Sequence, residues 1–169
     1  MSGSDFLKKQ LEVTRFEHAL NYVEQSAGGK KKLTGSELAH LNQMLNHTSE
    51  PPWRSQQTMV TLPSGQKKHF NVILNVQLRS RDILGNAHDI LHSGEIAKAA
   101  SYLYSHLVSE HFFNDGNRRT AVIATYWLLL EAGKKIDAHE LHRLGLGDLN
   151  KPEDLEALEK NMEEIINRA

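Results

Sequence analysis

The sequence has no cysteine among its 169 residues and only four prolines. The lack of cysteine excludes disulfide bonds, thiolate metal sites and a cysteine nucleophile, and it fits a reducing compartment. The 20 basic residues are balanced by 21 acidic ones, so a strongly cationic nucleic-acid binder is not the default expectation. Any phosphate binding must therefore come from a local cluster of residues.

Long apolar runs are also missing from the sequence. The longest largely apolar stretch, residues 121–130, is about half of what a membrane-spanning helix needs. The first residues after Met1 are small and polar, and charges follow from Asp5, which is unlike the apolar core of a signal peptide. We therefore expect a cytoplasmic protein that binds neither membranes nor nucleic acid.

The composition is that of a folded domain. Hydrophobic residues make up 39% and charged residues 24% of the chain, which excludes a disordered tail or a collagen-like repeat. The length suits one domain. We predict a single domain over residues 1–169, with a core at about 34–132, an N-terminal helix at 5–26 and C-terminal helices within 138–168.

Helical periodicity predicts a mainly α-helical fold. The first helix carries an apolar pattern that runs from Phe6 through Leu7 and Leu11 to Val23, at the spacing of one helix face. The second helix begins at Thr34, which opens a capping-box sequence. A pair of prolines at 51–52 ends that helix.

Three more helices are predicted in the middle of the chain. One covers residues 72–91 and is expected to break near Gly85. Another runs from about Ser93 to Glu110, and the third follows a polar stretch and ends near Glu131. The third is apolar on almost all sides, which is typical of a helix in the middle of a bundle.

The strongest strand signal lies between the second and third helices. Residues 58–62 are rich in β-prone side chains, residues 63–65 are Pro-Ser-Gly, and residues 66–70 can form a returning strand. The sequence therefore predicts a short β-hairpin at this place.

Residues suited to phosphate chemistry concentrate in the polar stretch that precedes the apolar helix. His111 can act as a general base toward a hydroxyl at neutral pH. Asp115 is an oxygen ligand of the kind that Mg²⁺ prefers, and Gly116 lets a ligand approach the backbone closely. Phe113 is the apolar residue that we expect to point inward and anchor the loop.

The end of the same stretch adds an anion-binding element. Asn117 and the amides behind it lie at a predicted helix N-terminus, where N–H groups point at an anion. Arg118 and Arg119 supply guanidinium groups for phosphate oxygens. The cluster favours a nucleotide-phosphate site with a base, a metal ligand and an anion cradle. The alternative is a helix–loop–helix corner with ordinary polar residues.

This stretch also resembles the motif of the Fic/Doc (Fido) family, His-x-Phe-x-(Asp/Glu)-(Gly/Ala)-Asn-(Gly/Lys)-Arg. The matching residues are His111, Phe113, Asp115, Gly116, Asn117 and Arg119. A helix that enters the motif, an apolar helix that leaves it and an upstream hairpin are similar to the helical core and β-hairpin flap of that family. The resemblance thus implies a mainly α, Fic-like bundle with a short flap.

The resemblance implies an activity and a role for each matching residue. A Fic-type protein adenylyltransferase moves AMP from Mg²⁺-bound ATP to a Ser, Thr or Tyr hydroxyl of a target protein. His111 would deprotonate that hydroxyl, Asp115 would hold Mg²⁺, Asn117 and nearby amides would form the anion hole, and Arg119 would contact phosphate. The flap, about residues 58–70, would align the protein substrate by strand addition.

Two positions depart from the commonest form of the motif. Arg118 stands where AMP-transferring members usually have Gly, and Doc-like members, which transfer the γ-phosphate, have Lys. Val122 stands where many members have a second Arg, which Doc-like members also lack. AMP transfer remains the first expectation. Doc-like phosphotransfer is the alternative, and a degenerate module that binds nucleotide or a partner without turnover is a third reading.

Two weaker signals concern regulation and support of the site. Many members carry an inhibitory helix with a key glutamate, and Glu17 lies about where an N-terminal version would, although a surface glutamate is the simpler interpretation. A separate antitoxin or inhibitory chain is another way to control such an enzyme. Trp53 and Arg54 resemble an aromatic–Arg pair often found before the flap, but a Trp packed on a helix end is the simpler interpretation.

Overall fold

The structure is a computed structural model that describes residues 2–54, 58–70, 75–147 and 151–169. Its helices are α1 Gly3–Gly28, α2 Gly35–Asn46, α3 Val76–His92, α4 Ile96–Glu110, α5 Asn117–Glu131, α6 Ala138–His142 and α7 Pro152–Asn167. Two short strands, β1 Thr58–Thr61 and β2 Lys67–Phe70, lie between α2 and α3. The predicted mainly helical fold is confirmed.

Helix α5 is the centre of the bundle, as its apolar sequence predicted. It contacts α1, α2, α4 and α6, and its residues from Thr120 to Leu129 are buried. Its large polar-tipped side chains have partners, as buried aromatic groups need. Trp127 Nε1 donates to the carbonyl of Lys31 at 3.0 Å, and Tyr126 Oη donates to Glu24 Oε1 at 3.1 Å. The loop that precedes α5 is therefore attached to a fixed core.

Helix α2 begins and ends as its local sequence dictates. The Thr34 side chain accepts a hydrogen bond from the N–H of Glu37 at 3.3 Å, which is the N-cap contact that a capping box supplies. The helix ends where His47 adopts a left-handed conformation, with φ +50°. Its buried face includes a polar residue, Asn42, which packs toward the start of α5.

Helix α3 is continuous, so the predicted break near Gly85 is wrong. Gly85 is exposed, and a side chain added there would meet no other atom within 4 Å. A glycine at such a position costs about 1 kcal/mol relative to alanine, and the buried Ile83, Leu84 and Ala87 on either side hold the helix together. Asn75 caps the helix, and the predicted start at 72 lies outside the described residues.

The N-terminal half of α1 does not pack against the core, contrary to the apolar pattern. Phe6, Leu7 and Leu11 are 53%, 60% and 52% exposed, and the buried residues of this helix begin at Phe16. The helix also starts earlier than predicted because Ser2 accepts a hydrogen bond from the N–H of Asp5 at 3.2 Å. Periodicity identified the helix but could not show where its packing partner ends.

The two strands pair antiparallel, with Thr61 opposite Lys67. The turn between them is closed by hydrogen bonds from the N–H of Leu62 to the carbonyl of Gln66 at 2.8 Å and from Gly65 to Leu62 at 2.9 Å. The role of flap given to these residues stays a prediction. Among the described ranges, no helix combines the length and apolarity needed to cross a membrane.

The His88 side chain ties α3 to the end of α5. Its Nε2 lies 3.1 Å from Glu131 Oε1, and Oε2 of the same carboxylate accepts a hydrogen bond from the N–H of Leu33 at 3.2 Å. The hydrogen bond to Glu131 raises the pKa of His88 above its ordinary value, although partial burial opposes the rise. The folded state therefore favours the protonated imidazole.

We expect His88→Gln to destabilise the protein in a pH-dependent way. A raised folded pKa adds stability that is fully present below the unfolded pKa of about 6.5 and is lost as the pH rises through the folded pKa. The free energy of unfolding, measured by urea titration, should fall more at about pH 5.5 than at about pH 9. The exposed His92 on the same helix provides the control, His92→Gln. An equal loss for His88→Gln at both pH values would contradict the assignment.

Candidate active site

The loop between α4 and α5 is held by a short extended segment that precedes the hairpin. Trp53 and Phe113 form an isolated antiparallel β-bridge. The N–H of Arg54 donates to the carbonyl of Phe112 at 2.8 Å, and the N–H of Asn114 donates to the carbonyl of Pro52 at 3.2 Å. The bridge fixes both sides of Phe113 in the same way that strand pairing would.

Phe113 anchors the loop from below, as the sequence predicted. Its side chain is 1% exposed, and its ring stacks on that of Trp53 with centroids 5.0 Å apart and planes 26° apart. This packing contributes apolar burial and an aromatic contact. It places the polar residues of the loop on the opposite, solvent-facing side.

Arg54 stabilises the end of α4 immediately before and at His111. It is 4% exposed, its Nε donates to the carbonyl of His111, and its Nη2 donates to the carbonyl of Glu110 at 3.2 Å. Burial lowers the pKa of Arg54, but a guanidinium remains charged in proteins. A cation here satisfies carbonyls that lack helical partners and interacts favourably with the helix dipole.

His111 adopts an unusual backbone conformation at the C-terminal end of α4. Its φ of +54° and ψ of +57° are left-handed, which costs a non-glycine residue roughly 1–2 kcal/mol. The contacts of Arg54 and of the Trp53–Phe113 bridge on either side of His111 offset that cost. The conformation ends α4 and places His111 on the wall of a cavity.

That cavity has a volume of about 380 Å³ and lies at the start of α5. The lining residues include every predicted site residue: His111, Asp115, Gly116, Asn117, Arg118 and Arg119. Val108 and Asn114 complete the wall. The structure thus brings the predicted base, metal ligand and anion-binding residues together, while their chemical roles stay predictions.

Asn117 uses its side chain to hold the loop. Its Oδ1 accepts from the N–H of Phe113, and its Nδ2 donates to the carbonyl of Phe113, each at 2.9 Å. Asn117 is buried, and the two bonds employ both ends of its carboxamide. An anion in the cavity would therefore meet the backbone amides of the first turn of α5, which have no partner within the helix.

Asp115 presents a carboxylate at the mouth of the cavity. It is exposed, and its Oδ1 accepts from the N–H of Gly116 at 2.7 Å. Within the described residues, its other carboxylate oxygen has no protein partner. This donor set fits Mg²⁺, which commonly takes one or two carboxylates together with waters and substrate phosphates. Across the described ranges there is no group of three or more metal-ligating side chains.

The two arginines of the motif have different surroundings. Arg118 Nη2 donates to the carbonyl of His142, the last residue of α6, at 3.0 Å, and to that of Leu144, two residues later, at 2.8 Å. Arg119 Nη2 donates to Asn46 Oδ1 at 3.2 Å, and Arg119 is partly exposed. Arg118 is therefore attached to the α6 side of the cavity, and Arg119 to the α2 side.

The position of the family's second arginine is inside the core. Val122 is 0% exposed, so the departure noted in the sequence is filled by apolar packing. Glu17, the candidate inhibitory residue, is exposed, and its Oε1 lies 3.0 Å from Nε2 of His139 on α6. The inhibitory role of Glu17 stays a prediction, and its observed partner is a histidine.

Sequence reasoning missed two asparagines of α2 and undervalued Arg54. The backbone carbonyl of Asp115 accepts from Asn42 Nδ2 at 2.8 Å and from Asn46 Nδ2 at 3.2 Å. The available signal was a polar residue on an otherwise apolar helix face, since Asn42 follows Leu41 and precedes Leu45. Buried polar groups need partners, but the sequence does not say where the partner lies.

The backbone conformation at Gly116 and the space around it both favour glycine. We therefore expect Gly116→Ala to lower both the stability of the protein and its affinity for nucleotide. Its φ is +72°, and an added Cβ would lie 3.1 Å from Asn46 Oδ1 and 3.2 Å from Arg119 Nη2. The control is Gly133→Ala, since Gly133 has φ +77° and no atom within 4 Å of an added Cβ. Both variants should lose roughly 1–2 kcal/mol of stability from backbone strain.

Only the Gly116 variant should also lose nucleotide binding, because only its new methyl group displaces lining side chains. Urea unfolding and a titration with a fluorescent ATP analogue measure the two effects separately. Equal nucleotide binding by the Gly116 and Gly133 variants would show that the close approach of these side chains has no functional consequence.

Several solved structures with the same fold are Fic proteins. A Fic-domain signalling protein from Bacteroides thetaiotaomicron has a TM-score of 0.74 and 18% identity, over 96% of this chain and 70% of that one. IbpAFic2 in complex with adenylylated Cdc42 has a TM-score of 0.65 and 17% identity, over 99% of this chain. This chain spans 58% of that IbpAFic2 chain. The N-terminal Fic domain of an effector from a Bartonella species has a TM-score of 0.54 and 19% identity, over 95% of this chain and 83% of that one.

At these identities the structural likeness establishes the fold. No curated protein sequence matches the chain. The profile of the Fic/DOC family matches residues 32–129, a span that includes α2, the hairpin, the complete motif and most of α5. More than half of the sequence is thus matched, and the chain belongs to the Fic/DOC family.

Proposed function

We propose that this protein transfers AMP from Mg²⁺-bound ATP to a Ser, Thr or Tyr hydroxyl of a target protein. The observation that carries the proposal is the cavity at the start of α5, where His111 and Asp115 line the same wall as the first-turn residues of that helix. A base, a carboxylate and unpartnered helix amides are what phosphoryl-group chemistry requires.

Three lining side chains and the backbone amides at the start of α5 have defined parts in the proposed reaction. His111 takes the proton of the target hydroxyl while the hydroxyl oxygen bonds to the α-phosphorus of ATP. The bond from that phosphorus to the pyrophosphate oxygen breaks, and pyrophosphate leaves. Backbone amides at the start of α5 and the Arg119 guanidinium stabilise the negative charge on the phosphate oxygens. Asp115 would hold Mg²⁺, which neutralises phosphate charge when it is bound.

The position of Arg118 supports AMP transfer over the alternative. Its guanidinium is bound by the carbonyls of His142 and Leu144, so this bulky cation is attached beside the cavity and does not lie loose across it. Arg118 still lines the cavity, but these two contacts hold its guanidinium on the α6 side, which leaves the path that AMP transfer needs to the rest of the cavity. Moving the guanidinium onto a phosphate would require both carbonyl contacts to be replaced.

Two observations support a protein substrate. The two-stranded sheet of β1 and β2 is joined to the segment that bridges to the motif loop at Trp53, and an unpaired strand edge can align an extended target segment. A structure of the relative IbpAFic2 contains adenylylated Cdc42, which supports a protein target for this chain. Control by an antitoxin or inhibitory partner and a cytoplasmic location remain predictions.

Transfer of the γ-phosphate is the second candidate. Two observations favour it: the cation at position 118, where Doc-like members carry lysine, and the buried Val122 in place of the second arginine. If Arg118 leaves its carbonyl partners in the presence of nucleotide, it can bind phosphates and reverse the orientation of ATP. The products then differ by a measurable mass.

Parallel incubations with α-labelled and γ-labelled ATP test the proposal. The protein is mixed with Mg²⁺ and a cell lysate, and modified proteins are analysed by intact mass. AMP transfer predicts incorporation of the α-label and a mass gain of one AMP. Incorporation of the γ-label alone would establish phosphotransfer instead. If the protein binds Mg-ATP but transfers neither label, it is a nucleotide-binding module without transferase activity.

A further inference from the structure

One face of α2 meets the motif loop with two asparagines one helical turn apart. Asn42 Nδ2 donates to the carbonyl of Asp115 at 2.8 Å and to Thr120 Oγ1 at 3.0 Å. Asn46 Nδ2 donates to the carbonyl of Asp115 at 3.2 Å and to Asn42 Oδ1 at 3.1 Å. The bonds to Asp115 join α2 to a loop 73 and 69 residues away in sequence.

Arg119 determines how this network is oriented. A guanidinium only donates hydrogen bonds, so Asn46 must present Oδ1 to it, and the distance is 3.2 Å. The Nδ2 of Asn46 then faces Asn42 Oδ1 and the Asp115 carbonyl, both of which only accept. These hydrogen bonds therefore run in one donor-to-acceptor direction, from Arg119 through Asn46 to Asn42.

Gly116 provides the space that the two asparagines occupy. A Cβ at this position would lie 3.1 Å from Asn46 Oδ1 and 3.4 Å from Asn42 Nδ2. Asn42 is 1% exposed, so its amide is enclosed between α2 and α5. The absence of a side chain at Gly116 therefore lets α2 approach the backbone of the loop directly.

We propose that Asn46, supported by Asn42, is a positioning residue for the nucleotide site. It fixes the backbone of Asp115, and through it the direction of the carboxylate, and it holds the guanidinium of Arg119 at the cavity. The proposal rests on the proposed function in that it assigns Mg²⁺-nucleotide binding to this cavity. Nothing in the motif itself encodes this contribution, because both asparagines lie on another helix.

The variant Asn46→Ala tests the proposal, with Gln43→Ala as a matched control. Gln43 lies on the same helix and also holds a backbone segment, but its Nε2 donates to the carbonyls of Ser49 at 3.4 Å and Glu50 at 3.1 Å and not to the motif loop. Removing a group that orients a metal ligand typically costs 10–100-fold in metal affinity. We expect Asn46→Ala to need roughly ten times more Mg²⁺ for half-maximal binding of a fluorescent ATP analogue, with KM for Mg-ATP raised more than kcat is lowered.

A second readout does not depend on nucleotide. Hydrogen exchange of the amides in residues 114–119 should be faster in Asn46→Ala than in wild type, and unchanged in Gln43→Ala. Unchanged exchange and unchanged Mg²⁺ dependence in Asn46→Ala would overturn the proposal, as would equal effects of Gln43→Ala. If wild type binds no Mg-ATP, the proposed function fails, and the exchange rates still decide whether Asn46 holds the loop.

Discussion

Replacing His111 by alanine is expected to lower the rate of transfer by about 10²–10⁴-fold, the usual cost of losing a general base. His111 lines the cavity that contains Asp115 and the start of α5, so a hydroxyl brought into that cavity would lie next to it. A base acts mainly in the transition state, and affinity for Mg-ATP should therefore stay close to that of wild type. Initial rates of label incorporation and calorimetric titration with Mg-ATP measure the two quantities.

The His111 prediction has a histidine control on another surface. His92 is exposed on α3 and does not line the cavity, so His92→Ala should transfer at the wild-type rate. Transfer at the wild-type rate by His111→Ala would remove the assignment of the base. A large fall in Mg-ATP affinity in that variant would point to a binding role instead.

Replacing Asp115 by alanine is expected to give the second large effect, this time on binding. One oxygen of its exposed carboxylate accepts a hydrogen bond from the N–H of Gly116, and the other oxygen can bind a cation. Loss of a charged partner typically costs 1.5–3 kcal/mol, which corresponds to roughly 10–100-fold weaker binding of the nucleotide in the presence of Mg²⁺. Calorimetry with ATP at several Mg²⁺ concentrations measures the change.

Asp115→Asn separates the two functions of this side chain. The amide keeps an oxygen for the N–H of Gly116 but loses the negative charge. If the carboxylate binds the metal, the asparagine variant should lose Mg²⁺-dependent affinity as the alanine variant does. If nucleotide binding by Asp115→Asn responds to Mg²⁺ as it does in wild type, Asp115 does not bind the metal. Its remaining role is then to accept the hydrogen bond from the N–H of Gly116.

The parts of the fold that sequence predicted correctly are those fixed by local signals. Thr34 caps α2 because its side chain reaches an amide three residues away, and such a contact depends on a few neighbouring residues. The almost entirely apolar sequence of α5 required a central position. Gly85 was misjudged because its cost as a helix residue is small compared with the packing of the apolar residues beside it.

The parts that sequence could not supply are contacts between distant segments. Arg54 reaches the carbonyls of Glu110 and His111, and Asn42 reaches that of Asp115, across more than fifty residues of chain. No local pattern encodes such pairings, because the acceptors are backbone carbonyls that every residue possesses. The motif therefore revealed which side chains form the candidate site, while the structure revealed what holds them.

We propose that the cavity at the start of α5 binds the triphosphate of Mg-ATP beside His111. A crystal structure of the His111→Ala protein with Mg-ATP would show where the nucleotide lies. We expect phosphate oxygens at the amides of Asn117 and Arg118, with Mg²⁺ on Asp115. A nucleotide found instead in the cavity of about 710 Å³ between α2 and α3, with the motif cavity lacking phosphate, would contradict this proposal.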